Sequence, residues 1–254
     1  MLLRLLLSLA LLLPLWAAET ETVIVVRGDG DYPPYEMSGD QKLIGAHIEL
    51  VEAAAKEVGV EVQFQSLAWS RALEMTRRGL ADAISFAGRT HEREQFLLFD
   101  EGNIQSVVSY GFFARRDDER PLEWRGELAG LLPYKIGLLR NYAYPEAFLE
   151  FPGLQRIEHL GGNEILLRAL LNRRIDLLIG GTVEVQTAAQ ALNVGDRLRL
   201  LQPTFGHKPA YLAFSRTKSG SMALALRFAA AFGRLKQSGV YQRIQAKYGL
   251  PPLP

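Results

Sequence analysis

Cysteine is absent from all 254 residues. That excludes disulfide staples, thiolate nucleophiles and cysteine-ligated metal sites, so stability must come from a packed core. Histidine is scarce as well: His47, His91, His159 and His207 stand singly, without the spacing of a metal site. Neither sign of charge dominates, with a net charge of +1, which leaves no electrostatic footprint for nucleic acid or an anionic membrane. The chain also lacks a Gly-x-Ser-x-Gly nucleophile turn, a phosphate-binding loop and a His-Glu-x-x-His helix. No catalytic residue, metal or cofactor is expected.

One long apolar run is present, at the very start. Met1 to Arg4 carry a positive charge, Leu5 to Leu15 are almost wholly apolar, and Trp16-Ala17-Ala18 leads into Glu19-Thr20-Glu21. These are the three regions of a secretory signal peptide, assigned to residues 1–18 with cleavage after Ala18 or Ala17. The run is shorter than the ~20 residues a spanning helix needs. With no cysteine at the cleavage site a lipid anchor is not expected, and the mature chain is expected free in the periplasm. Loss of Arg4 with the leader leaves equal numbers of basic and acidic residues.

The full chain is 48% hydrophobic and 22% charged, enough to bury one large core or two modest ones. Thr22-Val23-Ile24-Val25-Val26 is a continuous apolar run, the pattern of a strand covered on both faces. A helix is predicted over 44–58 from Ile48, Val51, Ala55 and Val58, stopped by Gly59. Strands follow at 60–64 and 83–86, separated by a helix over 70–78, so the order argues for an α/β sheet with right-handed crossovers. Arg115-Arg116-Asp117-Asp118-Glu119-Arg120-Pro121 reads as a solvated linker between two units. Beyond it come strands at 134–139, 175–180 and 210–215, alternating with helices at 164–172 and 183–192. Two closing helices are predicted at 221–237 and 240–248.

Several separate stretches carry a resemblance. They are Asp29-Gly30-Asp31-Tyr32-Pro33-Pro34-Tyr35, Gly45-Ala46-His47-Ile48-Glu49-Leu50, Trp69-Ser70-Arg71-Ala72-Leu73 and Gly79-Leu80-Ala81-Asp82-Ala83-Ile84. Further along stand Arg89-Thr90-His91-Glu92-Arg93, Arg174-Ile175-Asp176-Leu177, and Gly239-Val240-Tyr241 leading to Lys247-Tyr248-Gly249. In this order they span nearly the whole mature chain. Together the sequence resembles the bacterial periplasmic solute-binding proteins of the polar amino-acid ABC transporter type, extracellular solute-binding protein family 3. The resemblance implies an α/β, two-lobe periplasmic-binding-protein fold (type II). Each lobe is a mostly parallel sheet flanked by helices, and two hinge strands, near 105–112 and 203–209, join them. Residues 22–108 begin lobe 1, 109–204 form lobe 2, and 205–254 return to lobe 1 with the C-terminal helices. A small polar ligand, an amino acid or small carboxylate, is expected between the lobes, with an ABC-importer permease as partner and a monomeric state.

Residue by residue, the resemblance assigns Arg93 of Thr-x-x-Arg to the ligand carboxylate, for which a guanidinium offers a matching planar fork. A surface ion pair with Glu92 or Glu94 is the alternative. Tyr32 and Trp69 would flank the ligand and Asp29 would meet a polar or cationic group, against the alternatives of ordinary core for Trp69 and a plain turn for Asp29. Ser85 and Gly88 would offer hydroxyl and backbone donors. The second lobe departs from the family: the ammonium-binding aspartate is Gly181, leaving Thr182 or Glu184 as substitutes. The carboxylate-binding threonine is Ala143, leaving Arg140 or Tyr142. Two rivals use the same fold: a cyclohexadienyl-dehydratase-like enzyme, needing a general acid such as Glu184 or Asp29, and a sensor that presents its ligand to a receptor. The expectation is a binding protein and not an enzyme.

Overall fold

The computed structural model describes residues 21–251, so the leader assigned to residues 1–18 lies outside the described residues. Strand β1 (Thr22–Gly28) is followed by two short strands, β2 (Met37–Ser38) and β3 (Leu43–Ile44), then α1 (Ala46–Val58) and β4 (Glu61–Leu67). Next come α2 (Trp69–Arg77), β5 (Ala83–Gly88), α3 (His91–Glu94), β6 (Leu97–Leu98) and the long β7 (Ile104–Arg115). The second stretch holds β8 (Lys135–Leu139), α4 (Glu146–Glu150), β9 (Gln155–His159), α5 (Asn163–Leu171), β10 (Leu177–Gly181), α6 (Thr182–Ala191) and β11 (Leu198–Leu200). The chain closes with β12 (His207–Ser215), α7 (Ser221–Gln237) and α8 (Val240–Lys247). Gly59 does end α1, at φ 79°, a left-handed cap that glycine takes without a Cβ penalty.

The sheet order is β4-β1-β5-β12-β7-β10-β8-β9. Pairs β1–β4, β1–β5, β10–β8 and β8–β9 are parallel, whereas β12 and β7 run antiparallel to their neighbours. One strand serves both halves. In β7, Ile104 to Ser109 pair with β12, and Tyr110 to Ala114 pair with β10. The return crossing runs beside it: Tyr110 donates to the Gly206 carbonyl at 3.0 Å and Phe205 to the Tyr110 carbonyl at 2.7 Å.

Apolar spacing explains each half's core. Val23 and Val25 of β1 and Leu50, Val51 and Ala54 of α1 pack against Phe228 and Phe232 of α7. Helix α7 therefore belongs to the first half's core, and each fully buried large side chain there contributes ~1.5–3 kcal/mol. In the second half Leu166, Leu167 and Leu170 of α5 meet Leu178 of β10 and Val185 of α6.

The charge run is exposed over most of its length but does not link the two halves, since it follows β7 within the second one. Arg115 is the last residue of β7 and only 4% exposed, donating to the carbonyls of Leu170 at 3.0 Å and Ile175 at 3.1 Å. Asp118 joins Arg115 to Arg120, which also pairs with Asp176 at 2.7 Å. The run folds back on the second half as an ion-pair network; composition alone hid the anchoring role of its first residue. Among the described residues no helix is long and apolar enough to cross a membrane.

Candidate functional site

A cavity of about 370 Å³ opens where the two halves of the sheet meet. Its first wall starts at the C-terminal ends of β1 and β5, the usual place for a ligand in an open α/β sheet. Its second wall comes from Leu139 to Ala143 after β8 and Leu160 to Gly162 before α5, and its floor from Val108, Tyr110 and Lys208 on the crossing strands. The volume is that of a small-molecule site. Asp29, Tyr32, Trp69, Ser85, Gly88, Arg93 and Tyr142 all line it; Thr182 and Glu184 do not.

Arg93 is placed by a helix cap. Thr90 sits at the N-cap of α3 and its Oγ1 accepts from the Arg93 backbone N–H at 3.3 Å, which is the physical content of the Thr-x-x-Arg spacing. The side chain is 7% exposed and its guanidinium lies 5.1 Å over the Trp69 ring. It donates to the Gly88 carbonyl in the first wall and to the Asn141 carbonyl in the second, both at 2.9 Å. Asn141 has φ 62°, a conformation asparagine tolerates, at the turn that presents this carbonyl. No ion pair with Glu92 or Glu94 forms among the described residues; Glu94 pairs instead with Arg89 at 3.6 Å. Burial lowers the guanidinium's pKa, yet an arginine keeps its charge.

Tyr32 stands edge-on to Phe86, ring centres 6.0 Å apart, and its hydroxyl is raised by burial and by the nearby Asp29. Asp29 itself is exposed at the mouth and makes no ion pair among the described residues. Trp69 serves in both capacities considered for it, packing against the cluster of Val26 and Ala72 while lining the cavity.

Ser85 has no free proton to give a ligand. Its hydroxyl donates to Glu36 Oε1 at 2.5 Å and accepts from Gln105 Nε2 at 3.1 Å. Glu36, 1% exposed, also receives Arg27 Nε at 3.0 Å. Burial alone would raise this carboxyl, but His47, Arg27 and Ser85 outweigh it and hold the group below the ordinary range. His47 Nδ1 approaches Glu36 Oε1 to 3.8 Å, and burial lowers the imidazole while Glu36 acts in the opposite sense. Gln105 continues the chain of contacts, its carbonyl accepting from Tyr241 at 2.6 Å and Gln245 at 3.1 Å, both on α8. Gly88 is required by shape, since a Cβ there would stand 2.5 Å from the Ala143 methyl of the opposite wall.

The second wall corrects two expectations. Glu184, 1% exposed in the first turn of α6, is set back from the cavity and linked to it by the Tyr142 hydroxyl, which donates to Oε1 at 3.3 Å. Burial without a cationic partner pushes its carboxyl up to about 7. That carboxyl fills the space a side chain at Gly181 would take, so glycine and glutamate are two parts of one arrangement. Thr182, half-buried, turns its methyl toward Gly111 of β7 and away from the cavity. Glu36, Phe86, Tyr110 and Lys208 are among the lining residues that sequence reasoning missed. Glu36 was discoverable as an acid nine positions after a strand arginine; the others come together only through the crossing strands.

The family model for bacterial extracellular solute-binding proteins, family 3, matches residues 24–251. The chain belongs to this family. It is similar in structure to a histidine kinase sensor domain with similarity to periplasmic binding proteins, at TM-score 0.79 and 24% identity over 92% of this chain and 99% of that one. It is also similar to a periplasmic binding protein of Salmonella typhimurium with high arginine specificity (TM-score 0.71, 19% identity, 90% and 99% covered). A third similar structure is an ancestral amino acid-binding protein, a precursor of cyclohexadienyl dehydratase (TM-score 0.71, 19% identity, 89% and 94% covered). At these identities the likeness establishes the fold. No curated protein matches the sequence.

Proposed function

We propose that this family 3 protein works in the periplasm as a monomeric solute-binding protein, capturing a small carboxylate-bearing solute, an amino acid or a related acid, for an ABC importer. Residues 22–108 and 205–254 form one lobe and 109–204 the other, and the β7 and 203–209 crossings act as hinges. One observation carries the reading: Arg93 is buried in the cleft with no acidic partner among the described residues, tied to one wall through Gly88 and to the other through Asn141. A carboxylate entering the cleft supplies the missing charge. Contacts made to both walls at once are stronger in the closed form, and only that difference drives closure toward the form a permease recognises.

The enzymatic rival needs an acid aimed at a leaving group; of the two considered, Glu184, whose carboxyl is pushed up to about 7, does not line the cavity, and Asp29 lines it only at the exposed mouth. A thermal-shift screen of the purified protein against amino acids and small carboxylates is the test, because a ligand bound only to the native state raises the melting temperature. Hits confirmed by calorimetry, with no product formed, support capture. A screen without hits, or turnover of a hit, overturns it.

A further inference from the structure

Lys208 lies near the start of β12, on the floor of the cavity, and no motif marks it. Its Nζ donates to the Tyr144 carbonyl at 3.2 Å. Burial lowers its ammonium below the ordinary lysine value; Glu146 nearby acts in the opposite sense and Arg93 adds to the lowering. The charge balance around it is uneven. Arg140, the third basic group on the wall, is spent on Glu158 at 2.8 Å, and Glu36 is spent on Arg27. Asp29 is at the exposed mouth. Arg93 and Lys208 are left, neither with an ion-pair partner among the described residues, and both hold the same short stretch of the second wall. Arg93 grips the Asn141 carbonyl and Lys208 the Tyr144 carbonyl, with the Ala143 methyl between them offering no hydrogen bond.

Arg93 is buried and Lys208 half-buried, and a charge withdrawn from water is costly until it is paired, so these two cations lining one cavity call for negative partners. We infer that Lys208 is a specificity-determining residue and that the solute is a small dicarboxylate, one carboxylate held by Arg93 and the second by Lys208. The inference rests on the binding function proposed above. It also makes an α-ammonium group dispensable, because the interior lining holds no carboxylate free to receive one: Glu36 is neutralised and Glu184 is set back behind Tyr142.

Calorimetry with glutarate, glutamate, butyrate and arginine on the wild type, Lys208→Met and Lys208→Arg separates the outcomes. Glutarate is expected to bind at least ~10-fold tighter than butyrate, as charge-assisted pairing at a second site requires. Lys208→Met, which keeps the aliphatic stem, is expected to collapse that preference to about one, and Lys208→Arg to restore most of it. A wild-type melting temperature in both variants guards against misfolding as the cause. Equal affinity for glutarate and butyrate, or an undiminished preference in Lys208→Met, overturns the inference. Tight binding of arginine with no binding of the dicarboxylates overturns it and leaves solute capture standing. Binding of none of the four, with hits elsewhere in the screen, overturns the dicarboxylate alone; no hit anywhere overturns both.

Discussion

Gly88 and Ala143 face each other across the cleft, so close that a Cβ on residue 88 would stand 2.5 Å from the alanine methyl. They come from β5 and from the turn after β8, elements of different halves of the sheet. The pair therefore sets how far the halves approach. Gly88→Ser is expected to hold the cleft ajar and weaken ligand binding by at least ~10-fold, the scale of an overpacked contact. Ala143→Gly in the same chain is expected to return most of that affinity. Small-angle scattering with ligand provides the check: a radius that stays large for Gly88→Ser and contracts for the double variant.

Glu184 ties stability to pH. Its carboxyl is pushed up to about 7 in the folded protein, so the folded state holds a proton that the unfolded chain has already released. Ionising the buried group then costs stability: nothing below the ordinary glutamate value, more as pH rises toward 7, and a constant penalty above. The size is about 3 kcal/mol at ~1.4 kcal/mol per pH unit. Glu184→Gln, which still accepts from Tyr142, is expected to match the wild type at pH 4 and to melt on the order of 10 °C higher at pH 8. Equal melting temperatures at pH 8 contradict this.

Arg27 and Glu36 support the first wall from behind. Arg27 reaches Glu36, Ser66 and the Gly30 carbonyl with one guanidinium, which fixes the loop carrying Asp29 and Tyr32. Arg27→Met strands a buried carboxylate and is expected to cost about 3–5 kcal/mol in denaturant unfolding. Adding Glu36→Gln removes the stranded charge and is expected to recover a good part of the loss. A single variant as stable as the wild type contradicts the network.

Local chemistry made much of this legible. The unbroken run Thr22 to Val26, the Gly59 cap and the apolar stripe of Leu224, Phe228 and Phe232 each write their element into neighbouring residues, so strand, helix end and core-facing helix follow from spacing. Arg93 was singled out by the resemblance that its Thr-x-x-Arg motif carries, and it lines the cavity. Long-range geometry was not legible. Lys208 and Tyr110 line one cavity because two crossing strands run side by side, and nothing within either segment records its partner. Ser85 looked like a free hydroxyl because its acceptor, Glu36, lies 49 positions away. Arg115 looked solvated because its neighbours are charged, although the carbonyls it serves belong to residues 55 and 60 positions later.

The central claim is that a ligand carboxylate completes Arg93, and calorimetry of the best ligand from the screen on wild type and Arg93→Ala tests it most directly. Loss of a charge-assisted hydrogen-bonded pair is worth about 1.5–3 kcal/mol, so Arg93→Ala is expected to bind roughly 10- to 150-fold more weakly. Arg93→Lys, with charge but no fork, is expected to fall between. Equal affinity in wild type and a folded Arg93→Ala contradicts the account.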